Sequence, residues 1–223
     1  MKTTRILEQE ARFLAADRAT HRAVADVRSL DGFQVVQRRR ERQRNTYFDT
    51  PDLRLRAHRA VLKVRAVGRR RELTFKQSRG YRDGVATRLE LTTRIQAGHE
   101  ARLRRGHVEP TAEPARRAQA LIKHQALRFT FSMLTDRRIL VMARDDERIE
   151  IDVDHVVLRR ARKIRASRLE VEVENLTASP RAFRHFLTAL QQRFPVGLRR
   201  CSVSKYEFGF RMSGGQGRAV LYQ

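Results

Sequence analysis

In the segment Leu7-Glu8-Gln9-Glu10-Ala11-Arg12-Phe13, charged residues fall at every second position, so a β-strand there presents Glu8, Glu10 and Arg12 on one side. The same arrangement returns at Arg59, Lys63 and Arg65, at Glu72 and Lys76, at Arg88 and Glu90, at Glu150, Asp152 and Asp154, and at Arg168, Glu170, Glu172 and Glu174. Opposite those charges lie Leu62 and Val64, Leu73 and Phe75, Leu89 and Leu91, Ile149, Ile151 and Val153, and Leu169, Val171 and Val173. One such strand means little. Repeated this often, the pattern predicts a sheet curled around an interior charged with both signs, its apolar side turned outward.

Carboxylates beside lysines and arginines in one lumen suit a metal ion bound to a polyphosphate, because hard cations take oxygen ligands and phosphate oxygens take fixed positive charge. The overall charge is compatible with this without selecting it. Lys+Arg is 49 against 25 for Asp+Glu, a formal net charge of +24, a field that attracts phosphates, nucleic acid or an acidic membrane surface. Much of the excess sits in runs such as Arg38-Arg39-Arg40, Arg69-Arg70-Arg71 and Arg159-Arg160, which read as solvated faces able to bind nucleic acid nonspecifically.

The lone Cys201 excludes an internal disulfide and cysteine-rich zinc sites, and fits a reducing compartment. The first residues alternate and carry acids, unlike a signal peptide, and no apolar run is long enough to span a bilayer. The expectation is a cytoplasmic protein without a membrane partner, monomeric or homodimeric. Its 223 residues suit one domain over residues 1–211, followed by a loose tail over 212–223 around Ser213-Gly214-Gly215-Gln216-Gly217.

Helical spacing over Asp17 to Leu30, stopped by Asp31-Gly32, predicts a short helix after the first strand. Strands follow at Arg44 to Thr50, Arg59 to Val67, Glu72 to Gln77 and Val85 to Ile95. The polar, alanine-rich stretch from Gly98 to Gln125 joins two halves of the sheet, with a helix expected over Ala115 to Lys123. Further strands are expected at Leu127 to Leu134, Ile139 to Ala143, Arg148 to Val157 and Ser167 to Glu174, with Asp145-Asp146 as a hairpin turn. Ser179-Pro180 opens a helix through Gln192 whose Phe183, Phe186, Leu187 and Leu190 should pack on the barrel exterior. A last strand is expected near Val203 to Phe208.

Taken in order, Glu8-Gln9-Glu10-Ala11-Arg12, Thr46-Tyr47-Phe48-Asp49-Thr50, Leu62-Lys63-Val64-Arg65, Leu73-Thr74-Phe75-Lys76, Arg88-Leu89-Glu90, Asp152, Glu170-Val171-Glu172-Val173-Glu174 and Ser204-Lys205-Tyr206 resemble the motifs of the CYTH family, the triphosphate tunnel metalloenzymes. The resemblance is nearest to the inorganic triphosphatases, and the family also includes thiamine triphosphatases and class IV adenylate cyclases. It implies an α+β fold built on a closed antiparallel barrel of about eight strands, with helices outside and a charged tunnel that binds a triphosphate and Mg²⁺ or Mn²⁺.

On that basis Glu8, Glu10, Glu170 and Glu172 are the candidate metal ligands, with Glu174 a further one on the same face. Arg12, Lys63, Arg65, Lys76, Arg88, Arg128 and Lys205 are the candidate triphosphate or polyphosphate clamps, of which Lys76, Arg65 and Arg12 would also stabilise the transition state. Asp49, beside Thr50-Pro51, reads as a turn residue holding main-chain amides. Two positions depart from the family pattern. Arg12 replaces the lysine that ends the ExExK signature, a planar fork in place of a point charge. Thr92 stands where many members carry a second glutamate after Arg88-Leu89-Glu90. Competing readings are a polyphosphate-binding module without turnover, a class IV-type cyclase and a basic nucleic-acid binder, the last lacking tryptophan and exposed stacking platforms.

Overall fold

The structure, a computed structural model, describes residues 2–108, 110–160 and 163–214. Its strands are β1 (Thr3–Ala15), β2 (Ser29–Leu30), β3 (Phe33–Asp49), β4 (Ala60–Val67), β5 (Arg70–Arg82), β6 (Val85–Arg94), β7 (Arg128–Arg144), β8 (Glu147–Arg160), β9 (Lys163–Asn175) and β10 (Leu198–Arg200). The helices are α1 (Arg18–Ala25), α2 (Arg54–Ala57), α3 (Ala97–Arg104), α4 (Glu113–Ile122), α5 (Pro180–Arg193) and α6 (Lys205–Met212). Eight strands close an antiparallel barrel in the order β1-β6-β5-β4-β3-β7-β8-β9, with β9 returning to β1. Closure removes the exposed strand edges that a charged open sheet would leave unpaired. Outside the ring, β2 pairs with β3 and β10 with β1.

Two apolar layers hold the barrel from outside. Leu62, Leu73, Phe75, Leu89 and Leu91 pack with Ala115, Ala118 and Ile122 of α4. On the other flank Ile151, Val153, Val171 and Val173 pack with Phe183, Phe186, Leu187 and Leu190 of α5. Helix α5 starts where the sequence says it should, because Pro180 occupies its first turn and Ser179 Oγ accepts from the Ala182 amide at 3.2 Å. These contacts free the inward face for polar residues, since the sheet buries its hydrophobic side against helices.

The structure corrects several expected elements. Residues 203–208 do not form a strand. Ser204 caps α6 by accepting from the Glu207 amide at 3.2 Å, the first half of a Ser-x-x-Glu box that outweighs the local alternation. The helix extends through Met212, and residues 215–223, which include most of the expected tail, lie outside the described residues. The long strands β3 and β7 absorb arginine runs that read as irregular, because Arg38 to Arg42 pair in register with Asp136 to Leu140. Helix α3 was not foreseen; its Glu100 is buried and accepts from Arg44 at 2.8 and 2.9 Å.

A third apolar group, Tyr47, Phe131, Met133, Val156, Leu158, Tyr206 and Phe210, lies on the inward parity of β3, β7 and β8 and receives α6. Gly209 permits that approach: a Cβ there would lie 2.3 Å from Phe131 Cε2, well inside contact distance. Asp49 anchors the region by accepting from the main-chain amides of Thr50, Leu55 and Arg56 at 2.8, 2.9 and 3.0 Å, and from the Tyr206 hydroxyl at 3.3 Å. This is the amide-holding role expected of it.

Candidate active site

Strand alternation and barrel closure bring Glu8 and Glu10 of β1, Lys63 and Arg65 of β4, Lys76 of β5, Arg88 of β6, Glu172 of β9 and Lys205 of α6 onto one cavity of about 170 Å³. These were named from sequence. Glu174, the further candidate on that face, shares the wall, as do the newcomers Arg59, Glu90, Arg137, Glu150 and Asp152, and also Gln43, Asn45 and Tyr47. Of the newcomers, Arg59, Glu90, Glu150 and Asp152 were visible as charged strand positions without an assigned role. Arg137 was missed because the run Asp136-Arg137-Arg138 looked like a break between two strands and carries no alternation of its own; the β3–β7 register, Glu41 opposite Arg137, is what locates it.

Three candidates are not on the wall. Arg128 is exposed, the first residue of β7 opposite Asp49, beyond the apolar end of the lumen and away from the cavity. Its assignment as a phosphate clamp is therefore corrected. Arg12 and Glu170 point into the barrel but are buried away from the cavity. Arg12 Nε lies 2.9 Å from Glu10 Oε1, and Glu170 is paired with Arg168 and, at 3.3 Å, with Lys205.

The wall is bound together by ion pairs. Lys76 Nζ lies 2.6 Å from Glu8 Oε1 and 2.6 Å from Glu90 Oε2. Burial works against its ammonium, but Glu8, Glu90 and Glu10 outweigh that and raise its pKa. Arg88 reaches Glu10 at 2.8 Å. Arg137 pairs with Asp152, and reaches Asp154 at 2.7 Å and Glu172 at 3.0 Å. Lys205 enters from α6 and meets Glu172 at 2.5 Å and Asp154 at 2.9 Å. Thr92 donates to Glu90 Oε1 at 3.0 Å, so this position orients a wall carboxylate in place of adding one.

Strand β4 differs. Among the described residues Lys63 and Arg65 of β4, and Arg59 just before it, make no ion pair. Burial, then the neighbouring Arg65 and Lys76 cations, push Lys63 well below the usual lysine range. In the ring β4 lies opposite β9, whose Glu174 is in register with Glu10 on one side and Glu150 on the other. Burial, then the charges of Glu8, Glu10 and Glu150, push Glu174 up to about 8 despite Lys76. The lumen thus has a side rich in unpaired cations and a facing side where carboxylates crowd one another.

That crowding has the donor chemistry a hard divalent cation takes, although Glu10 Oε1 is itself held by Arg12 at 2.9 Å and Arg88 at 2.8 Å. Among the described residues no three acidic or histidine side chains are gathered as a finished metal nest, because the inner carboxylates are turned onto cations. The residues fit such an ion chemically.

Fold and wall together define a class, an antiparallel tunnel barrel with a lumen charged in both signs. The CYTH domain model matches residues 7–195, and the chain belongs to that family. No curated protein matches it. Among solved structures it is similar to HpAC1 from Hippeastrum, described as an adenylyl cyclase candidate with a dominant triphosphatase activity, at 16% identity and a TM-score of 0.70 over 95% of this chain and 98% of that one. An adenylate cyclase candidate from Bacillus halodurans is similar at 18% identity and a TM-score of 0.66, covering 92% and 98%. The Mimivirus capping enzyme triphosphatase is similar at 10% identity and a TM-score of 0.51, covering 83% and 89%. These likenesses concern the fold.

Proposed function

We propose that the protein is a metal-dependent triphosphatase that takes inorganic triphosphate, or the triphosphate of a small organic molecule, into the lumen and hydrolyses a phosphoanhydride bond. The observation that carries this reading is the division of the wall, with Lys63 and Arg65 of β4 and Arg59 just before it unpaired, opposite the carboxylates of β9. Among the described residues Lys63 is buried and Arg65 half-buried without an ion-pair partner, a cost that a polyanion answers. Lys63, Arg65 and Arg59 would hold the phosphate chain, while Lys76, Arg88 and Arg137 would lean from their carboxylates toward the transferring group and stabilise the charge that spreads over its oxygens. Glu8, Glu10, Glu172 and Glu174 would hold Mg²⁺ or Mn²⁺, with Arg12 fixing Glu10 from behind. Such an ion supplies Lewis-acid charge and a more acidic water. The single cysteine supports a reducing, cytoplasmic setting for this chemistry.

A second reading, a triphosphate-binding module without turnover, is favoured by Arg12, whose guanidinium sits on a proposed metal ligand. One experiment separates the two: phosphate release from inorganic triphosphate, ATP, thiamine triphosphate and long polyphosphate, each with Mg²⁺, with Mn²⁺ and with chelator. Release abolished by chelator is expected for at least one short triphosphate. Tight triphosphate binding without metal-dependent release from any of them overturns the enzyme reading.

A further inference from the structure

Strands β7 and β8 carry charge on both faces: Arg137 and Asp154 point into the lumen, and their neighbours Arg138 and His155 point out. Outside, these two residues line a separate cavity of about 170 Å³ together with Arg18, His21 and Arg22 of α1, and Arg40 and Asp136. Arg18, His21 and Arg22 are spaced i, i+3, i+4 and so share one helical face, which lies over this side of the barrel.

The charge arrangement is unbalanced. Arg18 and Arg22 form a like-charged i, i+4 pair, and Arg40 stands directly opposite Arg138 in the β3–β7 register, each an unfavourable placement by itself. Asp136 is committed to Arg40, accepting from it at 2.8 and 2.5 Å. Among the described residues Arg18, Arg22 and Arg138 have no acidic partner. The His21 Nε2 atom is buried and also lacks a hydrogen-bond partner. A compact cavity whose floor is apolar at Val153 and Leu169, ringed by guanidiniums from three separate elements, suits a small tetrahedral oxyanion better than a flat polymer.

We propose that this outer cavity is a binding site for inorganic phosphate, distinct from the tunnel. Arg22 and Arg138 supply charge-assisted hydrogen bonds from opposite sides, and Arg18 closes the rim. The assignment stands independently of what the tunnel hydrolyses.

The test is calorimetric titration of the metal-free protein with inorganic phosphate at ionic strength held constant with chloride. Wild type should show a saturable event that R22A/R138A weakens by at least about tenfold, since each lost charged contact is worth about that much. R181A/R184A, which removes the same charge from exposed positions on α5, should leave the event unchanged, and R22K/R138K should restore part of it. Far-UV circular dichroism checks that each variant is folded, as expected for exposed side chains. The proposal is overturned if wild type shows no saturable phosphate binding, if R22A/R138A binds as wild type does, or if R181A/R184A loses as much, in which case a diffuse surface field is responsible.

Discussion

Along the inward face of β8, Glu150, Asp152 and Asp154 give way to Val156 and Leu158, and on β7 Arg137 and Thr135 give way to Met133 and Phe131. The two ends of one lumen therefore share strands, parity and closure but differ in chemistry. The charged end is held by ion pairs that satisfy one another at the cost of desolvation, and such networks are weak contributors to net stability. The apolar end gains free energy from burying Phe131, Met133, Tyr206 and Phe210, and it forms a floor from which Lys205 reaches up into the charge. One end stores reactivity; the other pays for it.

The comparison breaks most sharply at Glu10. If the charged end is catalytic, Glu10→Gln should lower phosphate release by about three orders of magnitude or more while the circular dichroism spectrum persists. Activity within tenfold of wild type would remove Glu10 from the chemistry. At the apolar end, Phe131→Ala should cost about 3–5 kcal/mol in denaturant unfolding. A cost below 1 kcal/mol, on the scale of an exposed position, would mean that the floor does not stabilise the barrel.

Lys63 joins the two regions, since it is an unpaired buried cation just above the floor. Lys63→Met should weaken triphosphate binding by about tenfold to a hundredfold while leaving stability unchanged or raised, because a desolvated amine is replaced by an apolar chain of similar length. Loss of stability with intact binding would reverse that assignment. Gly209→Ala should cost about 1–3 kcal/mol by driving a methyl into Phe131, measured by thermal melting.

The smallest effect is a pH slope. Glu174 titrates near 8 in the folded protein, above the ordinary glutamate value of 4.5, so the folded state holds an extra proton between those values. Its contribution to stability is fully present below about 4.5 and is lost as pH rises through about 8. In metal-free protein Glu174→Gln should flatten the decline in melting temperature across that window. An unchanged slope would show that Glu174 is not the group that titrates there.

Alternation at Glu8 and Glu10, at Lys63 and Arg65, and at Glu172 made the lumen legible in the sequence, because a period of two fixes which side chains share a strand face whatever the rest of the chain does. The same rule fixed the outward Leu62, Phe75 and Val171. Turn and cap chemistry at Asp49 and Ser179 was equally local and equally readable. What alternation cannot supply is the strand order around the ring. Only closure of β9 onto β1 sets Glu174 between Glu10 and Glu150, and only the β3–β7 register turns an apparently irregular arginine run into paired strand and brings Arg137 to the wall. Arg12 and Glu170 kept the right parity but lie away from the cavity, and Arg128 sits at the exposed start of β7. Depth along a barrel and the position of a bulge depend on how distant strands slide against each other, a quantity set by packing across the whole sheet and carried by no single segment.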